Sequence, residues 1–255
     1  MERVDILEKL KTSQYIKSQV KNKSEKYKDS YNEYRCVKCR DLKFIIEDNT
    51  AIPCECRALR ECEEILKNSG ISDEFRKKTF KNFNYAYDVQ TIDAYSKALS
   101  YKKNFKDIEK TRQNSIIFMG QVGSGKTHLS LAISNDLMDS GVVVLYMPYR
   151  DVIISLNQKI MDEEYYRKAI GRYKRARVLL IDDLFKGGIS KSDINIVFEI
   201  VNLRYFNNLP MIVSTEKSFD ELVEIDEAIG SRIIEMSKDY LVSVKGKRLN
   251  YRIYG

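Results

Sequence analysis

The stretch Ser115-Ile-Ile-Phe-Met-Gly120-Gln-Val-Gly123-Ser-Gly125-Lys126-Thr127-His128 decides the fold of this chain. A short apolar strand ends in glycine, a glycine-rich loop follows, and Thr127 to Met138 continue with helical character up to Ser140-Gly141. The loop matches G-x-x-x-x-G-K-[ST] without deviation. Glycines let the backbone take positive φ and let its amides approach phosphate oxygens. The helix behind the loop adds unpaired N–H groups and the positive end of its dipole. Gly120, Gln121, Val122, Gly123, Ser124, Gly125, Lys126, Thr127 and His128 are therefore the expected cradle for ATP. Lys126 reaches the β- and γ-phosphates as a point charge, and the Thr127 hydroxyl is a ligand for Mg²⁺. His128, the single histidine, suits packing or surface better than acid–base chemistry.

Downstream, apolar runs alternate with helical patterns. Val142 to Met147, Arg177 to Asp182, Pro210 to Thr215 and Tyr240 to Val244 read as strands, with Arg248 to Ile253 a candidate partner for the last. Helical residues extend to about Tyr173, then occupy Asp193 to Phe206 and Asp220 to Met236; upstream, Val89 to Ile108 is a helix. The first four strands are nearly continuous apolar runs, as strands buried on both faces must be. Strand–helix alternation predicts an α/β fold with a five-stranded parallel sheet and right-handed crossovers.

A phosphate loop needs a carboxylate facing it. Val178-Leu-Leu-Ile-Asp182-Asp183 supplies one at the C-terminal end of a buried strand, where open α/β sheets bind ligands. Asp182 is the expected Mg²⁺-side group and Asp183 the group that orients or deprotonates the attacking water, the other reading of Asp183 being a helix cap. In P-loop ATPases with this order of units, the Pro210–Thr215 strand lies between the other two and aims a polar group at the γ-phosphate. Thr215 is the expected group, with Glu216 as the alternative.

Five cysteines, at 36, 39, 54, 56 and 62, fall in one short stretch. Cys36-x-x-Cys39 and Cys54-x-Cys56 offer four thiolates in two close pairs, which suits tetrahedral Zn²⁺; an iron–sulfur cluster and structural thiols are the other readings. Residues 1–30 carry Val4, Leu7 and Leu10 on one helical face, followed by a lysine-rich stretch. The expected domains are residues 1–68 and 69–255.

The net charge of +7 fits anionic partners, or a lysine-rich surface that is merely solvated. No apolar run approaches the roughly 20 residues of a membrane helix, and the N-terminus lacks the layout of a secretory signal, so a cytoplasmic protein is expected. Between Lys159 and Arg177, cations interleave with Tyr165, Tyr166 and Tyr173 in a pattern that suits single-stranded nucleic acid or a solvated amphipathic helix. Lys186-Gly187-Gly188 is a second candidate loop for nucleic acid.

Together these segments resemble the AAA+ helicase loaders of the DnaC and DnaI type, over most of the chain. The resemblance rests on the cysteine cluster, Ser69-Gly70-Ile71 with Thr79-Phe80-Lys81-Asn82-Phe83, the phosphate loop, Ile181-Asp-Asp-Leu184, Asn202-Leu-Arg204-Tyr205, Pro210 to Thr215 and Ile229-Gly-Ser231-Arg232. It implies an AAA+ core without a C-terminal lid, behind a small zinc-binding module that docks on a DnaB-like replicative helicase. It also implies contact with single-stranded DNA, and self-association into a ring or helical assembly with ATP at subunit interfaces. Arg232 is then the finger that a neighbouring subunit inserts toward the γ-phosphate, Arg204 a candidate interface arginine, and the segment 71–83 the side adjoining adenine. The related IstB-type transposition ATPases share the core and usually lack the cysteine module. A transposition helper, or a nucleotide-gated binding protein with negligible turnover, are the alternative functions.

Overall fold

The computed structural model describes residues 34–47, 50–68, 72–86, 88–246 and 249–254. The amphipathic helix expected within residues 1–30, Ser69-Gly70-Ile71 and the side chain of Cys62 lie outside the described residues. The chain divides into two compact units at Arg57/Ala58.

In the first unit, β1 (Phe44–Glu47) and β2 (Thr50–Pro53) form an antiparallel hairpin. The turn ahead of it takes positive φ at Arg40, Asp41 and Lys43, and the Asp41 carboxylate accepts the Cys36 N–H at 2.9 Å. The helix α1 (Cys56–Asn68) starts here, but from Ala58 onward it belongs to the second unit, where Leu59 packs on the core. The sequence-based boundary at 68/69 fell at the other end of this helix.

The second unit holds α2 (Ser72–Lys77), α3 (Val89–Ile108), β3 (Ile116–Gly120), α4 (Lys126–Asp139), β4 (Val144–Pro148), α5 (Tyr149–Gln158), α6 (Glu163–Arg175), β5 (Val178–Leu184), α7 (Lys191–Phe206), β6 (Met211–Thr215), α8 (Phe219–Ile225), α9 (Glu227–Met236), β7 (Leu241–Val244) and α10 (Tyr251–Tyr254). The five strands β3 to β7 are parallel in the order β4-β5-β6-β3-β7. β6 thus lies between the strand ending in the phosphate loop and the strand carrying Asp182, as the order of units predicts.

Strand alternation explains the three-layer packing. Ile116, Phe118, Val178 and Leu180 face a core shared with α3 and α4, whereas Ile117, Met119, Leu179 and Ile181 face one shared with α5, α7 and α9. Each fully buried aliphatic side chain of this kind stabilises the fold by about 1.5–3 kcal/mol.

Three expectations are corrected. The region Asp220–Met236 is two helices, because Asp226 is extended (φ −161°) and its carboxylate accepts the Ile229 N–H at 2.8 Å, capping α9. Arg248 lies outside the described residues, and Leu249 to Ile253 do not pair with β7: Gly246 (φ +156°) ends the extended run and α10 follows at Tyr251. Arg204 is no interface residue. It is fully buried, donating to the carbonyls of Tyr173 (2.9 Å), Ala176 (2.8 Å) and Pro210 (2.6 Å), so it ties the end of α6 to the entry of β6.

Candidate nucleotide site and metal centre

At the C-terminal edge of the sheet, the turn from β3 into α4 borders a cavity of about 300 Å³. Val122, Gly123, Ser124, Gly125, Lys126, Thr127 and His128 all line it, while Gly120 and Gln121 form its root. Gly125 has φ +86°, and a Cβ there would stand 2.6 Å from the Phe83 ring, so no other residue fits without a shift of the loop. The Lys126 ammonium donates to Gln121 O at 2.6 Å within the loop it serves. Burial lowers its pKa, against the pull of Asp183 and Glu216.

Asp182 is held by three hydroxyls. Thr127 donates to Oδ1 at 2.9 Å, Ser214 donates to the same oxygen, and Tyr146 donates to Oδ2 at 3.2 Å. Burial raises the Asp182 pKa, and these three bonds work against that rise. A Thr127 hydroxyl beside a buried carboxylate is a donor set that fits Mg²⁺ on a nucleotide, so Thr127 and Asp182 are the residues that would hold it.

Asp183 lines the cavity with a backbone in the left-handed region (φ +57°), at a register irregularity between β5 and β6. Its N–H donates to Ser214 Oγ at 2.9 Å. The left-handed conformation is one that Asp adopts more readily than most non-glycine residues, and here the residue lines the cavity. There it accepts from Lys186 at 2.6 Å, and Lys186 also pairs with Glu216 at 3.2 Å. Lys186 lines the nucleotide cavity.

Thr215 is not brought into the cavity. It is fully buried, donating to Leu184 O at 2.8 Å and accepting the Lys217 N–H at 3.1 Å; the side chain presented to the cavity is that of Glu216. Arg232 stands on α9 outside the cavity of its own chain, bonded to Ala228 O at 2.9 Å and lying over the rings of Phe198 and Tyr205.

The segment expected beside adenine does border the cavity, through Lys78, Asn82 and Phe83. His128 ties it to α4: its Nε2 lies 2.9 Å from Thr79 O and 3.1 Å from Asn82 Oδ1, and its ring meets Phe83 edge to face. Both contacts are acceptors, so Nε2 carries the proton. Burial lowers the His128 pKa. Sequence reasoning missed Tyr146, Ser214, Leu249, Tyr251 and Arg252. Ser214 had a signal, standing in the polar end of an otherwise apolar strand; the others come from distant segments.

On α6, Tyr166 and Lys174 both bond Glu199 (3.0 and 2.8 Å), and Tyr173 packs against the core. Tyr165, Lys168, Arg172 and Arg175 remain exposed.

In the N-terminal unit, the sulfurs of Cys36, Cys39, Cys54 and Cys56 lie within 4.8 Å of one another, the one such cluster among the described residues. Cys36–Cys54 and Cys39–Cys56 are 3.8 and 3.4 Å apart. A tetrahedral ion with metal–sulfur bonds of about 2.3 Å needs edges of roughly 3.8 Å, so the four sulfurs fit one.

Fold and site together define a P-loop ATP-binding protein with a DnaC-like AAA+ fold. The IstB-like ATP binding proteins match residues 22–249, and the chain belongs to that family. It is 36% identical over 237 residues to the phage-like element PBSX protein XkdC of Bacillus subtilis, covering 88% of each chain. It is 25% identical over 188 residues to the replicative helicase loader DnaC of Escherichia coli, covering 73% of each. Among solved structures, DnaI superposes over 68% of this chain and 93% of its own, with a TM-score of 0.56 and 21% identity. No helix among the described residues is long and apolar enough to cross a membrane.

Proposed function

We propose that this chain is a cytoplasmic ATPase that loads a DnaB-like replicative helicase onto single-stranded DNA and couples hydrolysis to release of the helicase. One observation carries the reading: a nucleotide pocket with both Mg²⁺-side groups sits in the same chain as a separate four-thiol module. The match to a helicase loader over 73% of the chain supports it.

In this reading the loop amides and Lys126 grip the phosphates, and Thr127 and Asp182 hold Mg²⁺, which supplies charge neutralisation. Asp183, which lines the cavity, orients the attacking water. Arg232, outside its own cavity, serves the pocket of a neighbouring copy in a ring or helical assembly, which makes hydrolysis depend on assembly. Cys36, Cys39, Cys54 and Cys56 bind Zn²⁺ and shape the surface that docks on the helicase. Tyr165, Lys168, Arg172 and Arg175 are the side chains available for a single strand.

The family match favours a second reading, a helper ATPase for transposition. Co-purification separates them: the chain retains the replicative helicase when ATP is present and releases it upon hydrolysis, and Asp183→Asn retains it in ATP. Failure to retain helicase with ATP or with a non-hydrolysable analogue rules out the loader. An unchanged turnover rate in Asp183→Asn rules out its catalytic role.

A further inference from the structure

The two oxygens of Asp182 are held unequally. Oδ1 accepts from the Thr127 hydroxyl on α4 and from the Ser214 hydroxyl on β6. Oδ2 accepts from the Tyr146 hydroxyl on β4, at 3.2 Å, and from no other group among the described residues. Donors on one oxygen alone leave a carboxylate free to turn about that anchor, and a donor on the second oxygen fixes its plane. The sheet register supplies that donor. Pro148 is the neighbour of Asp182 across β4 and β5, and Tyr146 stands two residues earlier, beside Leu180. Strand alternation puts the Tyr146 ring and Leu180 in the same core, under Asp182, and the hydroxyl at the tip of the ring reaches up to the carboxylate.

Tyr146 stays out of the nucleotide cavity. It walls a second cavity, of about 430 Å³, which it shares with Val152 and Leu156 of α5 and Tyr173 of α6. Any influence it has on a bound nucleotide therefore passes through Asp182. Mg²⁺ demands near-ideal octahedral geometry, so a carboxylate left to turn serves it less well. We propose that Tyr146 is a positioning residue: its hydroxyl sets the plane of Asp182 and thereby the affinity of the nucleotide pocket for Mg²⁺. The proposal rests on Asp182 being the Mg²⁺-side group and is independent of what the ATPase acts upon.

The test titrates Mg²⁺ into the full chain with a fluorescent, non-hydrolysable ATP analogue, in the wild type, Tyr146→Phe, Asp182→Asn and the double variant. Tyr146→Phe keeps the ring in the core and removes only the hydroxyl. The Mg²⁺ concentration that half-maximally tightens binding is expected to rise about tenfold in this variant, the usual scale for losing a group that orients a metal ligand. Affinity for the analogue in EDTA should stay unchanged, which also reports a folded pocket. Because the hydroxyl acts through the carboxylate, adding Tyr146→Phe to Asp182→Asn should change nothing further at saturating Mg²⁺. A wild-type Mg²⁺ response in Tyr146→Phe overturns the proposal. So does a loss of affinity of equal size with and without Mg²⁺, which marks a packing role, and so does a further loss in the double variant. A wild-type Mg²⁺ response in Asp182→Asn overturns the assignment of Asp182 itself and the proposal with it, an outcome distinct from failure of Tyr146→Phe alone.

Discussion

The Thr127 hydroxyl donates to Asp182 Oδ1 across 2.9 Å, joining the first turn of α4 to the end of β5 over 55 residues of sequence. Neither residue is in the other's strand–helix unit. The contact exists because β6 separates their strands by one position in the sheet and Ser214, on β6, bonds the same carboxylate oxygen.

Asp182→Asn keeps one acceptor oxygen for Thr127 and Ser214, sets an amide N–H₂ beside the Tyr146 hydroxyl, and removes the charge that Mg²⁺ needs. ATP affinity in the variant is expected to lose its dependence on Mg²⁺, and turnover to fall about a hundredfold or more. Calorimetric titration with and without Mg²⁺ reads this directly. A variant that still binds ATP more tightly with Mg²⁺, to the wild-type extent, contradicts the assignment.

Arg204 predicts a stability effect without a binding effect. Truncating it to Ala removes a donor from each of three inward carbonyls, of which Pro210 O keeps the Leu179 N–H, and leaves a cavity behind them, a loss of about 3–5 kcal/mol. Arg204→Lys is expected to recover little, since one ammonium cannot span the geometry of the guanidinium. Urea denaturation checks both, and the folded fraction should bind ATP as the wild type does.

His128 provides a pH prediction that one nucleus can report, because the chain has a single histidine. Burial depresses its folded-state pKa below the ordinary value of about 6.5. In the window below 6.5 the unfolded chain binds a proton that the folded chain refuses, so stability falls as the pH drops through it. NMR titration of the imidazole should give a value under 6.5, and His128→Gln should flatten the acid limb of the stability curve. An unshifted or raised value contradicts the buried, Nε2-protonated arrangement.

Metal analysis of the full chain should find one Zn²⁺ per protein. Cys39→Ser and Cys54→Ser, at the two buried thiols, are expected to lose it while ATP affinity stays within about twofold. Metal content unchanged in both variants argues against the four-sulfur site.

The phosphate loop and the parallel sheet were legible because both are local. Gly125-Lys126-Thr127 and the apolar runs state their chemistry within a few residues, and the alternation of units orders the strands. What stayed hidden depended on distant segments meeting. Arg204 looks like a surface arginine on a helix until the carbonyls of Tyr173, Ala176 and Pro210 are placed around it. Thr215 and Glu216 cannot be told apart by sequence, since only the register irregularity after Ile181 decides that Thr215 turns to Leu184. Arg252 lies in a segment whose spacing suggested a strand, and its neighbour's bond to Gly123 is what brings it to the cavity.

The central claim is that backbone amides and one ammonium group at the end of β3 hold a nucleotide. Calorimetric titration of Mg-ATP into the wild-type chain and into Lys126→Ala tests it most directly. One site per chain in the wild type, weakened about a hundredfold or more by the substitution, is the expected result. Equal affinity in the two proteins would contradict it.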